Sequence, residues 1–224
     1  MKKIMFNDRY GLTDAVLSGR KTMTRRIIPS IEINWARRGK VTLPVSGYRH
    51  RALWIDCRQL LPDSSPFDYV APQKYQPAYD FDEEVAVAQS YQTLIEQGYL
   101  ADDRKDGWVN EKYITSPGYS NKMFVRADLM PHRIRITNIK AERLQDISEE
   151  DCLREGIVKT DCVAPYGFPA GNGKWKNYRT PQDAYACLID KVSGKGTWSS
   201  NPWVVAYEFE VINQGGLNYA NIKP

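Results

Sequence analysis

Long apolar segments are missing from this 224-residue sequence. No stretch approaches the ~20 consecutive apolar residues that a membrane-spanning helix needs. The N-terminal segment carries Lys2 and Lys3, but the apolar run after them is far too short for a signal peptide. These absences predict a cytoplasmic protein that makes no use of a membrane.

Cysteine and histidine are scarce, and their spacing matches no common metal site. The cysteines are Cys57, Cys152, Cys162 and Cys187, and no two of them form a C-x-x-C pair, so we expect reduced and mostly buried thiols. The histidines, His50 and His132, lie in neither an H-E-x-x-H nor an H-x-E frame. A G-x-S-x-G elbow and a Walker A loop are also absent. The sequence therefore predicts no metal and no cofactor.

Positive charge is concentrated in the first quarter of the chain. The formal net charge is only +4, yet residues 1–58 hold 13 Lys and Arg against 4 Asp and Glu. The remaining residues carry more acids than bases. This asymmetry predicts one basic face that meets an anionic partner, with nucleic acid or a nucleotide as the leading candidate.

The densest charge lies between Gly19 and Arg26, where four cationic residues surround two threonines. Three interpretations compete. The segment could be a solvated basic turn, or a phosphate site built from Arg, Lys and hydroxyl groups. It could also hold a catalytic lysine, because neighbouring arginines disfavour the charged form of Lys21. An extended chain would separate Lys21 from Thr24, whereas a turn would let the two side chains meet.

The remaining pattern predicts short strands and short helices. Strands are expected at 84–89, 122–126, 133–139 and 203–212, with a hairpin formed by 40–45 and 51–56. Helices are expected at 10–17, capped by Thr13, and at 90–97, 148–155 and 181–192. We predict one α+β domain over residues 1–212, built on a β-barrel or strongly curved sheet. Loop insertions are expected near 58–80, 100–121 and 158–180, and a C-terminal tail at 213–224.

Three blocks of the sequence together resemble the ASCH domain family of PUA-like β-barrels, in particular the ASCH proteins of phages and prophages. Gly19-x-Lys21-x-x-Thr24-x-Arg26 is similar to the family signature G-x-K-x-x-T-x-R. Residues 135–157 and the closing W-x-x-N-P-W-V-V-x-x-E-F of residues 198–209 are similar to corresponding blocks of the same proteins. The resemblance extends from about residue 4 to residue 212.

The resemblance implies a PUA-like barrel with short flanking helices and a role in binding RNA or modified nucleosides. A small bacterial branch of the family hydrolyses N4-acylated cytidines with a lysine, a threonine and a glutamate. Carried over, Lys21 is the base and Thr24 the nucleophile, while the glutamate position falls at Gln89. Glutamine forms hydrogen bonds but relays no proton.

Three functions follow as hypotheses from the residues and the resemblance. The first is an RNA- or nucleoside-binding protein with a basic cleft at the motif. In that cleft Gly19, Arg20, Arg25 and Arg26 meet phosphates, and Trp203 or Tyr207 stacks a base. The second is an amidohydrolase of N4-acylated cytidine-type nucleosides that uses Lys21 and Thr24. The third is a phage-derived interaction module. The sequence leaves the ligand and the oligomeric state open.

Overall fold

The computed structural model describes residues 1–28, 43–44, 55–56, 74–100 and 111–213. Parts of three predicted segments lie outside these residues. They are the loop insertions up to residue 73 and from 101 to 110, and the tail after Asn213. The strands are β1 (Lys3–Ile4), β2 (Met23–Ile27), β3 (Leu43–Pro44), β4 (Ile55–Asp56), β5 (Lys74–Tyr75), β6 (Glu84–Val87), β7 (His132–Arg143), β8 (Val158–Lys159), β9 (Tyr166–Gly171), β10 (Lys174–Tyr178) and β11 (Trp203–Asn213).

The helices are short apart from one. They are α1 (Leu12–Leu17), α2 (Tyr91–Glu96), α3 (Glu111–Ile114), α4 (Glu149–Arg154), α5 (Pro181–Ser193) and α6 (Thr197–Ser200). Single 3-10 turns occupy Asp8–Tyr10, Lys122–Phe124, Ala127–Leu129 and Leu144–Asp146. No helix in the described ranges is both long enough and apolar enough to cross a membrane.

The principal sheet has six strands in the order β1-β6-β7-β11-β2, with β3 also paired to β7. β1 and β6 run parallel, and the other pairs are antiparallel. The long strands β7 and β11 form its centre, and Ile134 and Ile136 are buried as their period-two alternation predicts. The predicted α+β class is confirmed. Within the described residues the sheet is open, since no pairing joins β1 to β2.

A second sheet occupies the region that the sequence predicts to be a loop at 158–180. Strands β8, β9 and β10 form an antiparallel sheet there, so the prediction of a loop is wrong. Asn172 and Gly173 form the two-residue turn of the β9–β10 hairpin with φ values of 53° and 69°. An Asn-Gly pair with two positive φ angles is the preferred turn for a tight hairpin, and that signal lies in the sequence.

Other local predictions fail where side chains or distant strands compete. Residues 122–126 form no strand, because the Asn121 side chain accepts the Met123 N–H and caps a 3-10 turn. The predicted hairpin of 40–45 with 51–56 lies mostly outside the described residues, and in the parts that are described β3 pairs with β7 and β4 with β5. Thr13 lies inside α1 instead of capping it, and its hydroxyl donates to the Phe6 carbonyl oxygen.

The helix starts that rest on side-chain caps are confirmed. Ser148 accepts the Asp151 N–H at the start of α4, and Thr180 accepts the Asp183 N–H at the start of α5. Helix α5 contacts α4, β9 and β10 and buries the face that carries Tyr185, Leu188 and Ile189. It therefore forms a wall that faces α4 and the N-terminal motif.

Candidate active site

The motif begins where α1 ends, and the chain turns there before it enters the sheet. Gly19 has a φ of +73°, the left-handed conformation that the sequence predicts. The Lys21 N–H donates to the Ala15 carbonyl oxygen at 2.8 Å, and the Thr22 N–H donates to the Arg154 carbonyl oxygen at 3.0 Å. Strand β2 starts only at Met23. After the turn, Lys21 and Thr24 both line the wall of one cavity.

Lys21 is paired with Glu155, a residue that the sequence analysis does not single out. The Lys21 side chain is only 2% exposed, and its Nζ lies 2.6 Å from Glu155 Oε2. The same Nζ donates to the Glu155 backbone carbonyl oxygen at 2.7 Å. One residue therefore supplies two acceptors to a buried lysine.

The sequence of α4 explains why Glu155 reaches Lys21. The Ser148 cap sets the phase of the helix, and Asp151 and Glu155 then lie four residues apart on one face. Gly156 follows with a φ of +107°, where a Cβ atom would lie 3.2 Å from Leu12 Cδ2 and 3.7 Å from Lys21 Cδ. A glycine therefore lets the end of α4 approach both α1 and the lysine stem.

Arg25 holds the second oxygen of Glu155. Its Nη1 donates to Glu155 Oε1 at 3.1 Å, and its Nη2 contacts Asp151 Oδ2 at 2.8 Å. Its Nε donates to Glu142 Oε1 at 2.8 Å. The side chain is 0% exposed, and its charge is neutralised by three carboxylates inside the protein. This placement differs from the phosphate-facing role predicted for it.

Further ion pairs around the Arg25 cluster complete a network of four cations and four carboxylates. Lys140 Nζ lies 3.2 Å from Glu142 and 3.1 Å from Asp151, and Arg154 Nη2 lies 2.9 Å from Glu208. The cations are Lys21, Arg25, Lys140 and Arg154, and the carboxylates are Glu142, Asp151, Glu155 and Glu208. Buried charges are tolerated when they are paired in this way.

Burial sets the proton affinity of Lys21. Desolvation lowers the pKa of Lys21 below 10.5, and it outweighs the opposing attraction and hydrogen bond of Glu155. Arg26 and Arg25 lower the pKa further by smaller amounts. The direction of this shift agrees with the prediction from the sequence, but its main cause is burial and not the neighbouring arginines.

A cavity of about 280 Å³ opens beside the Lys21–Glu155 pair. Its polar walls come from Asn7, Lys21, Thr24, Arg25, Arg26, Glu155, Tyr185 and Ser193. Its apolar walls come from Met5, Phe6, Leu12, Ile27, Leu188, Ile189 and Val192. The motif therefore lines a pocket of small-molecule size whose wall combines polar and apolar side chains.

Arg26 lies at this cavity, whereas Arg20 and Gln89 do not line it. Arg26 Nη2 donates to the Met5 carbonyl oxygen at 2.8 Å. Arg20 is exposed and donates to the Ser18 hydroxyl. Gln89 is buried just after β6, where its amide nitrogen donates to the Gln97 side-chain oxygen at 2.9 Å. The cavity wall holds Glu155 in place of the predicted Gln89.

Trp203 and Tyr207, the residues predicted to stack a base, belong to the core. The guanidinium carbon of Arg143 lies 4.7 Å from the centre of the Trp203 ring. Tyr207 is fully buried, its hydroxyl accepts the Ala78 N–H at 2.9 Å, and its ring packs edge-on against Tyr79. Neither ring lines the cavity.

Comparisons with known proteins leave the family unassigned. Neither the comparison with protein-family models, nor that with curated proteins, nor that with solved structures gave a match. The likeness to ASCH domains therefore rests on the three sequence blocks. The described residues also contain no group of three or more His, Cys, Asp or Glu side chains that could hold a metal ion.

Proposed function

We propose that the protein is an amidohydrolase of small acylated amides, with N4-acylated cytidine-type nucleosides as the substrate class that the family resemblance indicates. The observation that carries this proposal is the buried Lys21–Glu155 pair, which lines one cavity with the hydroxyl-bearing Thr24. A lysine with a lowered pKa beside a hydroxyl group is an arrangement suited to nucleophilic catalysis.

The hydrogen bonds of Lys21 suit the role of a base. A neutral amine has two N–H bonds and one lone pair. The side-chain and backbone oxygens of Glu155 accept two hydrogen bonds from Nζ, at 2.6 and 2.7 Å. When Lys21 is neutral, both N–H bonds are thus used by Glu155 and the lone pair is left to take a proton.

The proposed reaction transfers the acyl group to Thr24 and then to water. The Thr24 hydroxyl oxygen forms a bond to the amide carbon as its proton passes to Lys21. The carbon–nitrogen bond then breaks, and Lys21 returns the proton to the departing amine. A water molecule releases the acyl group from Thr24, with Lys21 again accepting and returning a proton. The products are a carboxylic acid and a free amine.

The test is turnover of N4-acetylcytidine by the purified protein, followed by liquid chromatography. We expect Lys21→Met, Thr24→Val and Glu155→Gln each to lower kcat by about 10²–10⁴-fold, the range that general acid–base catalysis supplies. Lys3→Met is the matched control, because Lys3 Nζ donates to the backbone carbonyl oxygens of Lys122 and Val125 outside the cavity. Absence of turnover by the unmodified protein, or full turnover by Lys21→Met, would contradict the proposal.

Binding of a nucleoside or RNA without hydrolysis is the second candidate. Arg26 favours it, because its Nε is buried with no hydrogen-bond partner in the described chain and lies at the cavity. A bound ligand with an acceptor atom could satisfy that donor. Because the charges of Lys21 and Arg25 are neutralised internally, we expect weak salt dependence of any nucleoside affinity. A steep fall of RNA affinity with salt would instead favour the basic cleft predicted from the sequence.

We also propose that the fold is a PUA-like barrel of the ASCH type and that the protein works in the cytoplasm. The mixed sheet with short helices around it is compatible with a strongly curved arrangement. An experimental structure in which the edge strands β1 and β2 are joined through other segments would support the barrel. A flat sheet with both edges exposed would contradict it.

A further inference from the structure

Tyr185 places a buried hydroxyl at the candidate active site without an evident structural use. Its side chain is 2% exposed on the inner face of α5. No described residue forms a hydrogen bond with its hydroxyl oxygen. The ring itself is fixed, because it packs edge-on against Trp198 at a centroid distance of 6.2 Å.

Two other tyrosine hydroxyls in the described residues have protein partners. The Tyr207 hydroxyl accepts the Ala78 N–H at 2.9 Å, and the Tyr79 hydroxyl donates to the Lys3 carbonyl oxygen at 3.2 Å. Leaving a buried polar group unpaired lowers stability, so most such groups in folded proteins are paired. An exception that lies in a cavity wall indicates a group that is kept for a ligand.

The position of Tyr185 suits a ligand of the proposed enzyme. The residue lines the cavity together with Lys21, Thr24 and Glu155. Leu188 and Ile189 follow it by three and four residues on the same helix face and line the same cavity. Tyr185 therefore shares the cavity wall with two apolar side chains that suit a short acyl chain.

Its protonation state suits a hydrogen-bond donor. Burial raises the pKa of Tyr185 well above 10, and the negative charge of Glu155 raises it further, while Arg25 acts in the opposite direction. The hydroxyl thus keeps its proton throughout the neutral range.

We propose that the Tyr185 hydroxyl donates a hydrogen bond to the carbonyl oxygen of the acyl group, with the acyl chain against Leu188 and Ile189. This inference rests on the proposed function. Negative charge develops on that oxygen when the Thr24 hydroxyl attacks, and a fixed donor stabilises it more than it stabilises the uncharged substrate. The role is catalytic, since the hydroxyl would touch the reacting group.

Tyr185→Phe is the test, with Tyr91→Phe as the matched control. Tyr91 is also a buried tyrosine, but it lies in a separate apolar cluster with Leu94 and Met130 and not at the cavity. We expect Tyr185→Phe to lower kcat for N4-acetylcytidine by about 10²–10³-fold, as for loss of one oxyanion donor, with KM nearly unchanged. We expect its urea midpoint to equal or exceed that of the unmodified protein. Tyr91→Phe should keep its kcat.

The outcomes separate this inference from the proposed function. Full turnover by Tyr185→Phe would overturn the role of Tyr185 and leave the hydrolase proposal standing. A lowered urea midpoint with unchanged kcat would show a structural hydroxyl and would also overturn it. If the unmodified protein binds N4-acetylcytidine in calorimetry without turnover, hydrolysis fails. In that case at least a fivefold weaker Kd for Tyr185→Phe would still support the contact, and an unchanged Kd would refute it. If the unmodified protein neither hydrolyses nor binds N4-acetylcytidine, both the proposed function and the role of Tyr185 are overturned.

Discussion

Replacing Arg25 by methionine tests the buried ion network most directly. Methionine replaces most of the aliphatic stem but is shorter and carries no charge, so the change removes the guanidinium and keeps an apolar side chain in its place. In the unmodified protein this group contacts Glu142, Asp151 and Glu155 at distances between 2.6 and 3.1 Å. Its removal leaves four carboxylates against three cations in the network, with the Arg25 position fully enclosed.

The expected loss is about 3–5 kcal/mol of the free energy of unfolding at neutral pH, the usual result of removing one partner from a buried ion pair. A sum of separate contributions from each charged hydrogen bond would predict a larger loss in the free energy of unfolding. Lys21 still contacts Glu155, however, and Lys140 still contacts Glu142 and Asp151. The total stability of a domain is only about 5–15 kcal/mol, so the urea midpoint should fall markedly.

The loss should shrink as the pH falls. Burial alone would raise the pKa of Asp151, but the hydrogen bonds and charges of Arg25 and Lys140 outweigh burial and lower it. A carboxyl group whose pKa is lowered by folding stabilises the protein above its unfolded pKa of about 4 and loses this effect in more acidic solution. The unmodified protein therefore loses this contribution in acid, whereas Arg25→Met has already lost much of it.

The assay is urea unfolding followed by circular dichroism at neutral pH and at about pH 2–3, since the contribution of Asp151 is lost only as the pH falls below its unfolded pKa toward the lower folded one. Arg126→Met is the control, because Arg126 also pairs with a carboxylate but its side chain is 74% exposed. Exposed pairs contribute only about 0–1 kcal/mol. An Arg25→Met variant that loses no more stability than Arg126→Met, or whose loss grows on acidification, would contradict the internal role of Arg25.

Two further predictions concern protonation at single residues. Burial lowers the pKa of Lys21, and Lys21 must be neutral to act as a base. We therefore expect kcat/KM for N4-acetylcytidine to rise with pH and to level off below pH 10.5. A kcat/KM that falls over this range would contradict the role of Lys21 as the base. Burial raises the pKa of the Cys152 thiol to about 12, so iodoacetamide near pH 8 should label the exposed Cys162 and spare Cys152 until urea unfolds the chain. Early labelling of Cys152, detected by peptide mass spectrometry, would show that the end of α4 opens in the native state.

The parts of the fold that depend on neighbouring residues could be predicted from the sequence. The caps at Ser148 and Thr180 and the left-handed Gly19 each follow from a local hydrogen bond or a local backbone angle. The alternation of isoleucines in β7 follows from burial of one strand face. These signals are short-range, and distant parts of the chain do not override them.

The composition of the site depends on contacts between distant parts of the chain. Glu155 lies 134 positions from Lys21, and no local pattern joins them. The i, i+4 spacing of Asp151 and Glu155 indicates that the two carboxylates share a helix face, but it does not identify the cations that they contact. Arg25 belongs to a run of cations that is typical of a solvated surface. Only the meeting of β2, β7 and α4 surrounds it with acids and gives it an internal role.

The position of β11 in the sheet determines how late in synthesis the sheet can finish folding. β11 lies between β7 and β2 and is hydrogen-bonded to both. During synthesis the N-terminal motif leaves the ribosome first, yet among the described strands β2 pairs with β11 alone, and β11 exists only once residues 203–213 have been made. Nearly two hundred further residues must therefore be synthesised before Lys21 and Thr24 are fixed beside the complete sheet. A nascent or C-terminally shortened chain should fold slowly and lack the cavity, because the last described strand closes a contact of very long range.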